Sequence, residues 1–238
     1  MVELTLDTIK NLKLYQPERG YRFSIDAILL YDFISLTKPS KGVELGTGSG
    51  IISLLLAEKF KKTSITAVEI QKSLAQCAER NAKLNKLDSR VTILKEDIKK
   101  LTTVLPGNKF DFVFSNPPFR KTKSGKLSVD KGRAVARHEI KISLPDIVKT
   151  AAYLLKHVGK FYLIYHPFRL IELISALQKQ GLEPKRMRFV HAREGEEAKM
   201  VLIEAQKGAG TWLKIDPPLY IHEEGNEYTA EVKSIYDV

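Results

Sequence analysis

The chain has 238 residues, enough for one large α/β domain or two small ones. It is 43% hydrophobic and 28% charged, an ordinary globular composition, and its single cysteine, Cys77, excludes a disulfide framework or a cysteine metal cluster. Lys and Arg number 39 against 28 Asp and Glu, a formal net charge of +11 that favours an anionic partner, nucleic acid being the simplest.

The opening stretch MVELTLDTIKNLKLYQP carries early acids and no continuous apolar run. No later run reaches the ~18 apolar residues of a membrane span, so the expectation is a cytoplasmic protein with no membrane partner. Residues 1–37 read as a β-hairpin and then a helix near IDAILLYDFISL, with Ser24 or Asp26 as its candidate cap. From Lys41 onward, strand-like runs alternate with helical patterns. KGVELG (41–46) leads into SGIISLLLAEKF, SITAVE (64–69) into IQKSLAQCAERNAKLN, and RVTIL (90–94) into a short helix or turn at EDIKKL. FDFVFS (110–115) stops at two prolines, and GKFYLIYH (159–166) precedes FRLIELISALQKQG. KRMRFVHA (185–192) and KMVLIEAQ (199–206) have only a polar loop between them. The alternation predicts right-handed βαβ units and a mostly parallel α/β sheet with helices on both faces. The last two strands lack a helix between them and should form an antiparallel hairpin, and a mostly parallel sheet closed by one antiparallel strand fits this pattern.

In ELGTGSGIISLLLA (44–57) a strand ends at Leu45, glycines follow at Gly46, Gly48 and Gly50, and a helix begins. Glycine admits positive φ and close approach of a ligand to the backbone. The free N–H groups of the helix start suit a carboxylate or phosphate. The spacing is G-x-G-x-G, not the dinucleotide G-x-G-x-x-G, and it follows Glu44. An acid there repels a pyrophosphate. It suits a ligand with an ammonium beside its carboxylate, such as the methionine part of S-adenosylmethionine. The plainer reading is a tight, space-saving turn. Glu69 ends the next strand, with Ile70 after it, and a carboxylate at that spacing can accept both hydroxyls of a ribose. Asp97, at the end of the third strand, is placed to accept from an adenine amine, and Ile98 to pack on the adenine face. The adjacent Glu96 is the alternative acceptor. Together these residues resemble the class I S-adenosylmethionine-dependent methyltransferases from about Lys41 to Gln206. The resemblance implies a Rossmann-like, seven-stranded, mostly parallel sheet with the last strand antiparallel. It also implies a catalytic domain over residues 38–238, against which the hairpin and helix of residues 1–37 pack.

FSNPPF (114–119) ends its strand abruptly, because proline lacks the N–H that a sheet needs. A purine amine is a poor nucleophile, its lone pair being delocalised into the ring. Two acceptors aimed at its N–H groups favour a pyramidal nitrogen and stabilise the charge that develops on it. Asn116 offers a side-chain carbonyl and Pro117 a main-chain carbonyl, and neither Pro117 nor Pro118 has a competing N–H. Phe119 offers a face for stacking a flipped-out base. The stretch resembles the [DNS]-P-P-[YFW] signature of amino-group methyltransferases. Such enzymes act on adenine N6, guanine N2, cytosine N4 or a glutamine amide.

Residues 120–141 carry eight Lys and Arg against Asp130 and Glu139, a net +6 directly after that motif. Arg120, Lys121, Lys123, Arg133 and Arg137 are candidate phosphate contacts, and His138, in RAVARHE, can order this segment or touch RNA. A solvated loop is the plainer reading. RFSIDAILL, ELGTGSG, AVEI, FSNPPF, the ARHE stretch and the closing PPLYIHEEGNEYTAEVKSIY are together similar to the bacterial valine-tRNA adenine-N6 methyltransferases. That resemblance implies tRNA, or another structured RNA, as partner and no metal. It places the target base on Asn116, Pro117 and Phe119, and the cofactor on Glu69 and Asp97. Guanine-N2 methylation of ribosomal RNA, glutamine methylation of a protein and a catalytically silent RNA-binding subunit are the alternatives.

Overall fold

The structure, a computed structural model, describes residues 4–18, 22–117 and 142–236. It begins with the expected hairpin, β1 (Leu4–Ile9) against β2 (Leu12–Pro17), with Ile9 opposite Leu12. Helix α1 (Ile25–Phe33) follows. Ser24 occupies its N-cap position, but neither candidate cap supplies a side-chain bond; the Ser24 carbonyl accepts from Ala27 N at 3.1 Å instead.

The sheet is built on the seven expected strands: β3 (Lys41–Leu45), β4 (Ser64–Glu69), β5 (Val91–Lys95), β6 (Phe110–Ser115), β7 (Leu155–Tyr165), β8 (Leu182–His191) and β9 (Ala198–Lys207). Two-residue strands β10 (Lys214–Ile215) and β11 (Leu219–Tyr220) add to β8 and bring the total to nine. The order across the core is β8-β9-β7-β6-β3-β4-β5. β9 is the antiparallel strand, as expected, but it does not close the sheet. It lies between β7 and β8 and is antiparallel to both. The β8–β9 hairpin alone does not determine which of its arms meets β7. β9 is the arm with an unbroken buried run, Met200 to Ala205, whereas burial along β8 is intermittent, as suits an inner strand and an outer one.

Alternation divides the core into two layers. Phe112, Phe114, Tyr162 and Ile164 face a layer formed with α1, with α2 (Ile51–Lys59) and with the hairpin. Val43, Val113, Phe161 and Leu163 face the other, formed with α5 (Leu144–Leu154) and α6 (Leu170–Lys179). Helix α3 (Lys72–Leu84) follows β4, and the short 3-10 turn Ile98–Lys100 and α4 (Leu101–Val104) follow β5. Gly42 is required by packing: a Cβ there would lie 2.2 Å from the Phe112 ring. The last helix, α7 (Ala230–Tyr236), packs on α1, which joins the two ends of the chain. β3 and β6 are neighbours, while β4 and β5 continue the sheet on the other side of β3. The strand order therefore reverses between β3 and β6, and ligands of open α/β sheets bind above such a reversal.

Candidate active site

The glycine loop leaves β3 at this reversal. Gly46, Gly48 and Gly50 have φ values of 82°, 59° and 92°, so each occupies the left-handed region that disfavours a side chain. A Cβ at Gly46 would meet nothing within 4 Å, whereas one at Gly50 would sit 3.3 Å from Ala78 Cβ. Gly46 therefore faces open space and Gly50 faces packed protein. Gly46 N and Thr47 N both donate to the Val68 carbonyl, at 3.0 and 2.9 Å, which pins the loop to the end of β4.

The acids shape this loop. Glu44 is 1% exposed and accepts from the Thr47 hydroxyl at 2.5 Å and from the Ser53 hydroxyl. Burial pushes its carboxyl up to about 8, against the pull of Ser53 and Thr47. Glu69 accepts from Gly48 N and Gln71 N, one on each oxygen, both at 2.9 Å. Burial raises its pKa too, opposed by those same backbone donors. The Ile70 amide pulls in the same direction, so the backbone N–H groups of Gly48, Gln71 and Ile70 are all directed at this carboxylate. Asp97 is half-buried; one oxygen accepts from Lys99 N at 2.9 Å, while Glu96 turns to Asp97 N at 2.8 Å. Glu96 is thus engaged in holding the turn that carries Asp97. Ile70 is 38% exposed beside Glu69, and Ile98 is half-buried against the core below Asp97.

On the other side of the loop, β6 stops at Ser115, and Asn116 and Pro117 leave the sheet, as the prolines require. Glu44 lies opposite Phe114 in the register, so Asn116 emerges beside Gly46. The buried Ser115 hydroxyl donates to the Leu45 carbonyl at 2.7 Å and clamps the two strand ends together. The sequence reading missed Ser115, although a serine directly before Asn-Pro-Pro is visible. It also missed Asn81. That side chain is fully buried; its amide donates to Ser49 O and Tyr15 O, both at 2.9 Å, and its carbonyl accepts from Tyr15 N at 2.7 Å. The structure thus brings Glu44, the three glycines, Glu69 and Asn116 together, with Asp97 one strand beyond. Phe119, Arg120, Lys121, Lys123, Arg133, Arg137 and His138 lie outside the described residues.

An open positive-φ glycine, a helix start and buried acids on either side fit a zwitterionic ligand bearing a ribose. Among the described residues no group of three or more His, Cys, Asp or Glu is placed to hold a metal, and no helix is long and apolar enough to cross a membrane.

Fold and site together define a class I S-adenosylmethionine-dependent methyltransferase. Residues 24–179 match the methyltransferase small domain, and the chain belongs to that family. It is 31% identical over 198 residues to a protein of Porphyromonas gingivalis named tRNA1(Val) (adenine(37)-N6)-methyltransferase, spanning 81% of this chain and 76% of that one. A protein of the same name from Photobacterium profundum is 28% identical over 214 residues, spanning 89% and 88%. In fold, the chain resembles a crystal structure of a predicted O-methyltransferase from Agrobacterium tumefaciens, with a TM-score of 0.73 at 24% identity over 89% of this chain and 95% of that one.

Proposed function

We propose that this protein transfers the methyl group of S-adenosylmethionine to the N6 amine of an adenine in tRNA, the valine tRNA adenine next to the anticodon. The observation that carries the reaction is the exit of Asn116 and Pro117 beside the open glycine loop, locked by the Ser115–Leu45 bond. The names of the relatives from two bacteria support the base and the RNA. The net charge of +11 supports an anionic substrate.

In this reading Glu44 faces the ammonium of the cofactor, and Gly46, Gly48 and Gly50 line its methionine part. Glu69 and Ile70 hold the ribose; Asp97 and Ile98 hold the adenine. The cofactor supplies an electrophilic methyl on a sulfonium. The Asn116 and Pro117 carbonyls accept from the two N–H bonds of the target amine and aim its lone pair at that methyl. The N–CH3 bond forms as the S–CH3 bond breaks, and the nitrogen then loses a proton to water. Phe119 stacks on the extruded base, and Arg120, Lys121, Lys123, Arg133, Arg137 and His138 meet the RNA backbone.

The test is incubation with labelled S-adenosylmethionine and total RNA from a strain lacking the gene, followed by nucleoside analysis. N6-methyladenosine in the tRNA fraction is expected. Label in N2-methylguanosine, or in protein glutamine when extract is supplied, overturns the assignment.

A further inference from the structure

Among the described residues the exposed apolar side chains include two groups close in sequence, Trp212 with Leu213 and Ile215, and Phe168 with Ile171; the second lies at the end of the sheet where Asn116 emerges. Phe168 is 77% exposed and Ile171 84%, one on the 3-10 turn Pro167–Arg169 and one on the first turn of α6. The imidazole of His166 stacks on Phe168, with ring centroids 5.0 Å apart and planes at 24°. Its Nδ1–H donates to the Lys199 carbonyl at 3.1 Å, so the ring pair is anchored to β9.

The position of this pair is informative. β6 and β7 are parallel neighbours with Ser115 opposite Leu163. Asn116 and His166 therefore leave adjacent strands at the same edge, strands that lie about 4.8 Å apart. The Lys199 side chain is 54% exposed and lies 3.8 Å from Glu196, while Arg169 is 15% exposed and held by both oxygens of Glu172. An exposed ring backed by a second ring matches the aromatic platforms on which single-stranded nucleic acid is held. Bases stack on such a ring.

We propose that His166 and Phe168 form a stacking platform for a nucleotide flanking the target base, with Ile171 extending its apolar surface. The proposal rests on the RNA reading above and deepens it. One side of the site holds the reacting base; this ring pair holds its neighbour and sets the register of the strand.

The test uses an unmodified valine tRNA transcript, labelled S-adenosylmethionine and the full chain. Phe168→Ala should lower kcat/KM for tRNA by about tenfold, the scale of one lost base stack, through KM rather than kcat. Cofactor affinity by calorimetry should not change, and Phe168→Trp should restore tRNA kcat/KM to within about twofold. If the parent methylates this tRNA and Phe168→Ala performs equally well, the platform is overturned and the substrate reading stands. If the parent transfers no methyl to tRNA, the substrate reading fails and the platform falls with it.

A second inference is independent of the substrate. β2 presents an outer edge whose backbone groups need partners. Two asparagines four residues apart supply them, Asn81 in α3 and Asn85 at its C-cap. Asn85 accepts from Lys13 N at 3.0 Å and donates to Lys13 O at 2.8 Å, and Asn81 pairs in the same way with Tyr15. A carboxamide carries the same donor and acceptor as a peptide, so the helix substitutes for a strand. Only Asn81 also reaches the glycine loop, through Ser49 O. The geometry points to Asn81 as a positioning residue that couples the hairpin to the loop conformation the cofactor needs. Asn81→Asp keeps the size but loses both amide donors. It should weaken S-adenosylhomocysteine binding by about tenfold and raise the KM for S-adenosylmethionine, with kcat nearly unchanged. Asn85→Ala, which loosens the hairpin without touching the loop, should lower Tm and leave cofactor affinity alone. Equal losses of affinity in the two variants, or none in Asn81→Asp, overturn the assignment.

Discussion

The two halves of the site are built differently. At the cofactor half the polar groups are held in place by the protein itself: Glu44 by two hydroxyls, Glu69 by two backbone N–H groups, Asp97 by Lys99 N and Ser49 O by Asn81. At the substrate half, Asn116 is half-buried on a stiff exit from β6, and beside it Phe168 and Ile171 face solvent. A small ligand of fixed shape rewards a preorganised pocket, because ordering it at the moment of binding would reduce affinity. A large nucleic-acid ligand spreads its contacts over a wide surface, so exposed rings at the right edge suffice to seat one of its bases. The fold holds the polar groups of the first half in place by itself, and in the proposed reading the RNA completes the second.

Substitutions can separate the halves. The largest effect is expected at Asn116→Ala, which removes an acceptor from the developing charge. Methyl transfer should fall by about a hundredfold to a thousandfold, with S-adenosylhomocysteine affinity by calorimetry little changed. Unaltered turnover would show that the Asn116 carbonyl takes no part in the reaction. Glu69→Ala should have the opposite profile. It strips the acceptor from Gly48 N and Gln71 N, so cofactor binding should weaken by about tenfold or more, while tRNA affinity in gel-shift titrations stays put. Cofactor binding that survives this change would break the ribose assignment.

The effect expected to touch activity least is a pH dependence of the free protein's stability. Burial lifts the Glu44 carboxyl from 4.5 to about 8, so the folded chain retains a proton that the unfolded chain releases. A group whose native pKa is raised in this way makes stability fall as pH climbs from about 4.5 toward 8. Glu44→Gln has nothing to ionise there. Its Tm relative to the parent should rise by on the order of 10 °C between pH 5 and pH 8. Parallel Tm curves would mean that Glu44 does not titrate in that window.

Much of the cofactor half was legible in the chain because its signals are local. Gly46, Gly48 and Gly50 are forced by positive φ, and a proline after Asn116 can only end a strand. Ser115 and Asn81 were not legible, since their partners Leu45 and Ser49 lie 70 and 32 residues away in sequence. A buried serine or asparagine reads as an ordinary polar residue until the fold shows what it faces. The expectation that the sheet closes on its antiparallel strand failed for a related reason. A hairpin is recognised from its short loop, but its seating against β7 depends on which arm best fills the two core layers.

By itself, then, the chain determined the strand and helix periods, the glycine turn, the acids at the strand ends and the proline stop. Each of these depends on backbone sterics within a few residues. Only the tertiary structure decided that Glu44, Glu69 and Asn116 converge at one reversal of strand order, that β9 lies inside the sheet, and that Phe168 stands at the edge where Asn116 emerges. Such proximities are set by parallel pairing and two-layer packing among residues far apart in the chain, and no local pattern encodes them.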